Sequence, residues 1–367
     1  MGKMANTSFS FFKGRLVSLD VFRGLTIALM ILVNTPGGDE YYSFLQHAAW
    51  NGLTFADVVF PFFIFILGVA VPYAFTKRIE QGTSRKKLFE HVALRTLILF
   101  AIGLFINWFA KFDLVQLRVM GVLQRIALCY FFASMIFIFL KPRWRIILTV
   151  AIPIVYWLLM ALVPVPGYGA GVLTSEGNLA AHVDRVLLGG HLYTATWDPE
   201  GVLSTLPAVA TALMGVLAGM YLKSDRKPQA KALHLFSFGV VSLCVGVVWN
   251  FWFPINKNLW TSSYVAVTGG LALVLLATFF YVIDLKGRVA WSKPFSILGL
   301  NALFVFVLSE IANLALIHTG TKALLYNGFF VSWAGPLHGS FLYAIAFLVF
   351  CWIIAVILYW KKLIIKI

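Results

Sequence analysis

The sequence predicts an all-α polytopic membrane protein with about ten transmembrane helices. Of its 367 residues, 61% are apolar and only 12% are charged, and the mean hydropathy is +0.89. A hydrocarbon core about 30 Å thick needs about 20 apolar residues per helix. Stretches of that length lie near residues 17–35, 55–76, 91–109, 119–140, 145–163, 202–222, 234–253, 262–283, 295–317 and 337–360.

The net charge of +15 is distributed unevenly between alternate loops. If the chain starts inside, the even-numbered loops carry most of the lysines and arginines, and the outward loops carry many of the acidic residues. This asymmetry fits the positive-inside rule and predicts that both termini are cytoplasmic. The orientation of the chain in the lipid bilayer, and not binding to nucleic acid, therefore accounts for the net positive charge. Residues 1–15 are expected to be a short cytoplasmic segment without a removable signal peptide.

The chain is predicted to form a single transmembrane domain over residues 1–367, because no linker or clear internal repeat divides it. Most of its loops are short, but the outward segment 164–201 is much longer. Long loops in compact domains are usually lids or binding loops. We therefore expect this segment to cover an outward-facing site. The three cysteines lie inside predicted spans, and we interpret them as small core residues.

The first span carries polar residues at both of its ends. Asp20 and Arg23 are three residues apart on neighbouring positions of a helix face, where they can pair. Asn34 ends this span near the outer surface. Gly37 and Gly38 then let the chain turn back, so Asn34 and His47 are expected at similar depth.

The second span begins with a concentration of polar and ionisable groups. His47, Trp50, Asn51 and Asp57 fall within eleven residues at the threshold of a very apolar helix. Ionisable groups at membrane depth cost roughly 2.5 to 3.5 kcal/mol each on insertion scales and are functional-site hypotheses by default. A lone histidine at the start of a helix is more often a hydrogen-bonded interface residue. The polar neighbours of His47, which are Trp50, Asn51 and Asp57, favour a functional site.

Two more polar clusters are predicted on the outward side or just beneath it. Gln124 and Arg125 lie in the fourth span, where Arg125 needs an anionic partner such as Asp57 or Glu310, a phosphate, or a polar cavity. The turn ahead of the eighth span contains Asn256, Lys257 and Asn258, followed by Trp260. Polar loop tips are usually just solvated, so this turn alone indicates little.

Five runs in the chain resemble one known family. They are LDVFRG (19–24), HAAWNGLTFADVVFPFFIFILG (47–68), RVMGVLQRI (118–126), DPEGVLST (198–205) and PINKNLWTSSYV (254–265). In this order they are similar to the heparan-α-glucosaminide N-acetyltransferase family, including its bacterial NagX-like members. The resemblance implies a transmembrane acyltransferase fold, a bacterial inner-membrane location and a homodimer.

The resemblance also implies an activity and its principal residues. Acetyl would pass from cytosolic acetyl-CoA to the amino group of a glucosamine-type sugar on the far, periplasmic side. His47 matches the active-site histidine of the family, and Asn34 matches a nearby asparagine.

The chemistry of such a transfer fits the same residues. An amine attacks a thioester only when unprotonated, and histidine, with a reference pKa of about 6.5, suits the task of a base. Asp57 would orient the imidazole. Asn34, Asn51 or the amides near Gly37 and Gly38 could stabilise the oxyanion. If the imidazole itself attacks the thioester, it becomes a covalent carrier and the kinetics are ping-pong.

Both substrates can be given expected contacts. The donor, acetyl-CoA, is predicted to thread from the inside past Arg23 and Arg125, with Asp20 and Gln124 beside them and Arg95 as a weaker candidate. No GxGxxG or P-loop pattern occurs, and no metal is expected. The residues predicted to contact the amino sugar are Trp50, Asn51, Asn256, Lys257, Asn258, Trp197 and Asp198.

A secondary transporter of amino sugars is the alternative function, since buried charges and kinked helices are equally expected there. Transporters of that kind usually show internal repetition and a polar midplane. This chain shows no clear repeat, and its polar residues gather toward one side, which favours the enzyme.

Overall fold

The computed structural model describes residues 16–365, so the predicted N-terminal segment 1–15 lies outside the described residues. Within this range, nine helical segments are long and apolar enough to cross a membrane, and a bent pair of helices makes a tenth span. The prediction of an all-α polytopic membrane protein is confirmed. The helices before the long outward loop are α1 (Val17–Asn34), α2 (Val59–Glu80), α3 (Arg85–Lys111), α4 (Val122–Phe139) and α5 (Pro142–Leu162).

The remaining helices complete the bundle. We refer below to its two ends as the His47 end, where α2 begins, and the Arg78 end, where α2 finishes. These helices are α6 (Leu179–Leu188), α7 (Val202–Lys223), α8 (Pro228–Trp249), α9 (Ser262–Phe279), α10 (Lys293–Leu300), α11 (Ala302–His318), α12 (Thr321–Leu325) and α13 (Ser332–Trp360).

The ninth and tenth spans differ from their predicted form. The ninth is broken at Asn301, where α10 and α11 meet at an angle of 70°. The Asn301 side chain bonds to the backbone oxygen of Leu363 at 3.1 Å and to the backbone nitrogen of Ile365 at 2.8 Å. The tenth span begins earlier than predicted, at Thr321, and bends at Gly335, whose φ of 73° lies in the left-handed region.

Helices α2 and α7 approach each other at two glycines. A Cβ atom on Gly68 would lie 1.9 Å from the backbone oxygen of Ala212, and one on Gly215 would lie 2.0 Å from the backbone oxygen of Phe65. Small residues allow such close packing in membranes, where association depends on van der Waals contact. This contact fixes the helix that directly follows Asp57.

We expect Gly68→Ala to lower the melting temperature of the purified protein. The added methyl group must push α2 away from the α7 backbone, and overpacking of this kind costs about 1 to 3 kcal/mol. Thermal unfolding in detergent measures the effect. Gly328→Ala is the matched control, because nothing lies within 4 Å of a Cβ atom there. Equal melting temperatures for the two variants would contradict this packing.

The long segment 164–201 is anchored at the His47 end and contains a helix that the sequence did not predict, α6. Asn178 caps this helix by accepting a hydrogen bond from the backbone nitrogen of Ala181 at 2.7 Å. Arg118 binds the segment near its end: its guanidinium contacts both oxygens of Asp198, at 2.8 and 2.6 Å, and Glu200 at 2.5 Å. The segment is therefore tied to the start of α4.

Candidate active site

His47 and Asp57 form a hydrogen-bonded pair at the start of α2. Nδ1 of His47 lies 2.8 Å from Oδ1 of Asp57. The side chain of His47 is 46% exposed, whereas that of Asp57 is 1% exposed. Asp57 lies in a short 3₁₀ turn, Ala56–Val58, that leads into α2. The pair therefore joins a solvent-exposed imidazole to a buried carboxylate.

The second carboxylate oxygen of Asp57 is fully engaged. Oδ2 accepts hydrogen bonds from the backbone nitrogens of Ala48 and Thr54, at 3.1 and 2.9 Å, and from the Thr54 hydroxyl at 2.9 Å. An ionised carboxylate only accepts, so Oδ1 accepts the proton on Nδ1 of His47. This arrangement leaves Nε2 of His47 with a lone pair available to accept a proton.

Lys257 lies against the same imidazole. Its Nζ is 3.0 Å from Nδ1 and 3.1 Å from Nε2 of His47, and 3.7 Å from Oδ1 of Asp57. Burial lowers the pKa of Lys257 below its ordinary value, and the charges of Glu200 and Asp57 partly offset that effect. The sequence placed Lys257 in a polar turn and predicted that it contacts the amino sugar, but it did not predict this direct contact with His47.

The polar turn that carries Lys257 is built around Asn256. Oδ1 of Asn256 accepts from the backbone nitrogen of Leu259 at 2.9 Å, and its backbone nitrogen donates to the Thr261 hydroxyl at 3.0 Å. Its Nδ2 donates to Oδ1 of Asn51 at 3.1 Å. Asn256 is fully buried, so it orders the turn and holds Asn51. Asn258 is half-buried in the same turn.

Two tryptophans lie beside this cluster. Trp50 and Trp197 meet edge to face with ring centroids 5.2 Å apart, and Nε1 of Trp50 donates to the backbone oxygen of Leu173 at 2.8 Å. Both rings are half-buried. Asp198, the neighbour of Trp197, is buried and binds Arg118 through both oxygens, so the structure uses it to hold the outward segment.

Arg125 is fully buried and lies beside Trp260 in the wall of the site. Its Nη2 donates to the backbone oxygen of Gly201 at 3.2 Å and to the Ser204 hydroxyl at 2.5 Å. The guanidinium carbon lies 4.9 Å from the Trp260 ring centroid. Its partners in the described chain are thus neither Asp57 nor Glu310, and it joins α4 to the start of α7.

Gln124 and Asn34 contact groups other than His47. Gln124 is buried against the glycines of α3 and of the turn before α4, where its side chain occupies the space that a Cβ on Gly103 would need. Nδ2 of Asn34 lies 3.5 Å from Oε1 of Glu310. Within residues 16–365, Asn34 forms no hydrogen bond with His47 or Asp57.

A cavity of about 510 Å³ lies along α2. It follows α2 from Phe63 to Arg78, a distance of about 22 Å at 1.5 Å per residue. Phe63 is six residues, or about 9 Å along the axis, beyond Asp57. The cavity thus begins about 9 Å along the helix axis from Asp57 and runs to the Arg78 end.

The charged side chains in the lining of this cavity are basic. Arg23, which lines it, bonds to Asp20 at 3.0 Å and to the backbone oxygen of Gly299 at 3.4 Å. The Arg95 guanidinium lies 4.8 Å from the ring centroid of Tyr130, and its Nε is buried without a hydrogen-bond partner within the described residues. The other basic side chains in the lining are Arg78 and His91.

Sequence reasoning missed this basic group, apart from Arg23 and Arg95. One signal was available: His91 and Arg95 are four residues apart, so they share one face of an apolar helix. The contact of Arg118 with Asp198 and Glu200 had no comparable signal, because about eighty residues separate the partners.

The fold and the site define a polytopic membrane protein with a His–Asp pair at one end of its helices and a basic cavity reaching toward it from the other. The catalytic-domain model of heparan-alpha-glucosaminide N-acetyltransferase matches residues 15–247. The chain belongs to this family.

Two curated relatives are heparan-alpha-glucosaminide N-acetyltransferases of Homo sapiens and Mus musculus, each 32% identical to this chain. Each match covers 81% of the chain and 53% of the relative. The chain therefore spans about half the length of the curated relatives it matches.

Proposed function

We propose that this protein is a transmembrane N-acetyltransferase that moves acetyl from cytosolic acetyl-CoA to the amino group of a glucosamine-type sugar on the periplasmic side of the inner membrane. The observation that carries the proposal is the placement of His47 and Asp57 above a basic cavity that approaches them from the opposite end of α2. One end offers a base to an acceptor, and the other offers cations to an anionic donor.

The His47 end has the groups that deprotonation of an amine requires. Nε2 of His47 can take the proton from the attacking amine, because Nδ1 donates to Asp57. The Asp57 carboxylate then stabilises the imidazolium that forms. Trp50 and Trp197 offer aromatic surface beside the exposed imidazole, where the apolar face of a sugar ring can pack.

The cavity has the groups that the donor requires. Acetyl-CoA carries phosphates, and Arg23, Arg78 and Arg95 offer charge-assisted hydrogen bonds to them. The apolar part of the lining, from Phe63 to Ala74, suits a flexible pantetheine arm that extends toward His47. The excess of lysine and arginine in the Arg78-end loops supports a cytosolic donor by the positive-inside rule.

Purified protein in liposomes, supplied with labelled acetyl-CoA and glucosamine, tests the proposal. The expected result is N-acetylated amino sugar and free CoA in equal amounts. If folded protein forms neither, the proposal fails. Uptake of unaltered labelled glucosamine without CoA release would instead support the transporter alternative.

We expect Arg95→Gln to raise the KM for acetyl-CoA roughly tenfold, which corresponds to about 1.4 kcal/mol of lost binding. The guanidinium lines the cavity at some distance from His47, so kcat should change little. Steady-state kinetics with varied acetyl-CoA measure both constants.

Arg143→Gln serves as the control for this prediction. Arg143 is an exposed arginine at the start of α5, at the same end of the bundle, and it is not part of the cavity lining. An unchanged donor KM in Arg95→Gln, or an equal rise in both variants, would contradict the assignment of the cavity to the donor.

A further inference from the structure

The proposed acyl transfer creates a negative oxygen that the protein must hold. The amine nitrogen bonds to the thioester carbonyl carbon, and the carbonyl electron pair moves to oxygen. The intermediate then expels CoA thiolate, while the amine proton passes to Nε2 of His47 and from there to the thiolate. Preorganised hydrogen-bond donors at such an oxygen are usually a large catalytic contribution.

The donors that the sequence suggested for this role are mostly occupied. The backbone nitrogens of Gly37 and Gly38 both donate to Ser340, each at 3.3 Å. Nδ2 of Asn34 is directed to Glu310. Oδ1 of Asn51 accepts from Nδ2 of Asn256, so Nδ2 of Asn51 stays available within the described chain as a neutral donor. A charged donor would hold the negative oxygen more strongly.

Lys257 has the position that the oxygen requires. Its Nζ is almost equally distant from the two ring nitrogens of His47, which places the ammonium over the face of the ring, since a hydrogen bond in the ring plane would favour one nitrogen. Nε2 keeps its in-plane lone pair for the amine. An acyl carbon beside Nε2 then brings its oxygen within reach of Nζ.

We propose that the ammonium group of Lys257 is the oxyanion donor of this site, holding the negative oxygen of the intermediate that forms beside Nε2 of His47. The inference rests on the proposed acetyl transfer and adds a catalytic residue to it. Lys257 is thereby assigned to the reacting carbonyl of the donor, and not to the sugar.

The surroundings of Lys257 fit this role. The turn that carries it is ordered by the hydrogen bonds of Asn256, and Trp260 closes the turn in a left-handed conformation with φ of 51°. The carboxylate of Asp57 is 3.7 Å from Nζ, too far for a hydrogen bond. Lys257 is thus attracted by neighbouring anions while keeping N–H groups to donate.

The test is Lys257→Met, which keeps an unbranched side chain as far as Cε and removes the charged Nζ. We expect a loss of roughly 10² to 10³-fold in kcat, the usual effect of removing one oxyanion donor, with little change in the KM for acetyl-CoA. Lys111→Met, at an exposed lysine ending α3 at the same end, is the control and should retain activity. Lys257→Gln replaces the methionine variant if thermal unfolding shows that the latter does not fold.

Fluoroacetyl-CoA separates this role from a merely structural one. Its fluorine withdraws electrons and stabilises the oxyanion without help from the protein, so the penalty of Lys257→Met in single turnovers should shrink with this donor. An equal penalty with both donors would show that Lys257 only positions His47, and would overturn the inference. So would unchanged turnover of acetyl-CoA in Lys257→Met beside an active unaltered protein. If the unaltered protein itself is inactive, the proposed function fails first and this inference falls with it.

Discussion

Replacing His47 by alanine is expected to lower kcat roughly 10³-fold, within the range for loss of a general base. The exposed imidazole of His47 is held through Nδ1 by the buried Asp57 carboxylate, which leaves Nε2 to accept a proton. The donor cavity follows α2 away from this residue, so CoA should bind His47→Ala with its usual affinity. Turnover assays and calorimetric titration with CoA measure the two quantities on one sample.

His182→Ala is the matched control for this prediction. His182 lies on α6, near the same end of the bundle, and is half-buried. It should keep its turnover. Ordinary turnover in His47→Ala would rule out the catalytic role, and loss of CoA binding together with turnover would point to a folding defect.

Asp57→Asn is expected to lower kcat by an amount comparable to His47→Ala. The reason is specific to this site. Three donors, from Ala48 and Thr54, surround Oδ2, so the amide oxygen of the asparagine must occupy that position. Its NH₂ group then faces Nδ1 of His47. Two donors cannot face each other, so the imidazole proton moves to Nε2, the atom that must accept. The analogous change in a serine-protease triad costs about 10⁴-fold in kcat.

Nitrogen-15 NMR of labelled histidine checks this mechanism beside the kinetics. In Asp57→Asn, Nε2 of His47 should change from an unprotonated to a protonated signal, while thermal stability stays close to normal, because the three bonds at the oxygen are retained. Asp39→Asn, at an exposed aspartate of the same end, is the control. Full activity in Asp57→Asn, or an unchanged tautomer, would exclude the orienting role.

The spans and the His47 cluster were predictable because their signals are local. An apolar stretch of twenty residues has few alternatives to a membrane helix, and His47 and Asp57 are ten residues apart on either side of one turn. Their proximity follows from the chain itself. Their catalytic roles stay predictions until they are measured.

The features that were missed depend on contacts between distant parts of the chain. Arg118 contacts Asp198, which lies 80 residues later in the sequence, and Lys257 contacts His47, from which it is separated by 210 positions. The bend at Asn301 was missed because one asparagine in an apolar stretch usually continues the helix. Asn34 was expected at the depth of His47; its hydrogen-bond partner, Glu310 on α11, lies nearly 280 residues away in the sequence.

The end of the described chain forms part of the cavity wall. It is held there by the hydrogen bonds of Asn301 to Leu363 and Ile365. Ile364 and Ile365 line the cavity, so anything attached beyond Ile365 starts beside the space proposed for the donor. An environment-sensitive dye joined there would report on whether that space is filled. An affinity tag fused at the same position, without a spacer, would compete for it, and activity assays should therefore use protein from which such a tag has been cleaved.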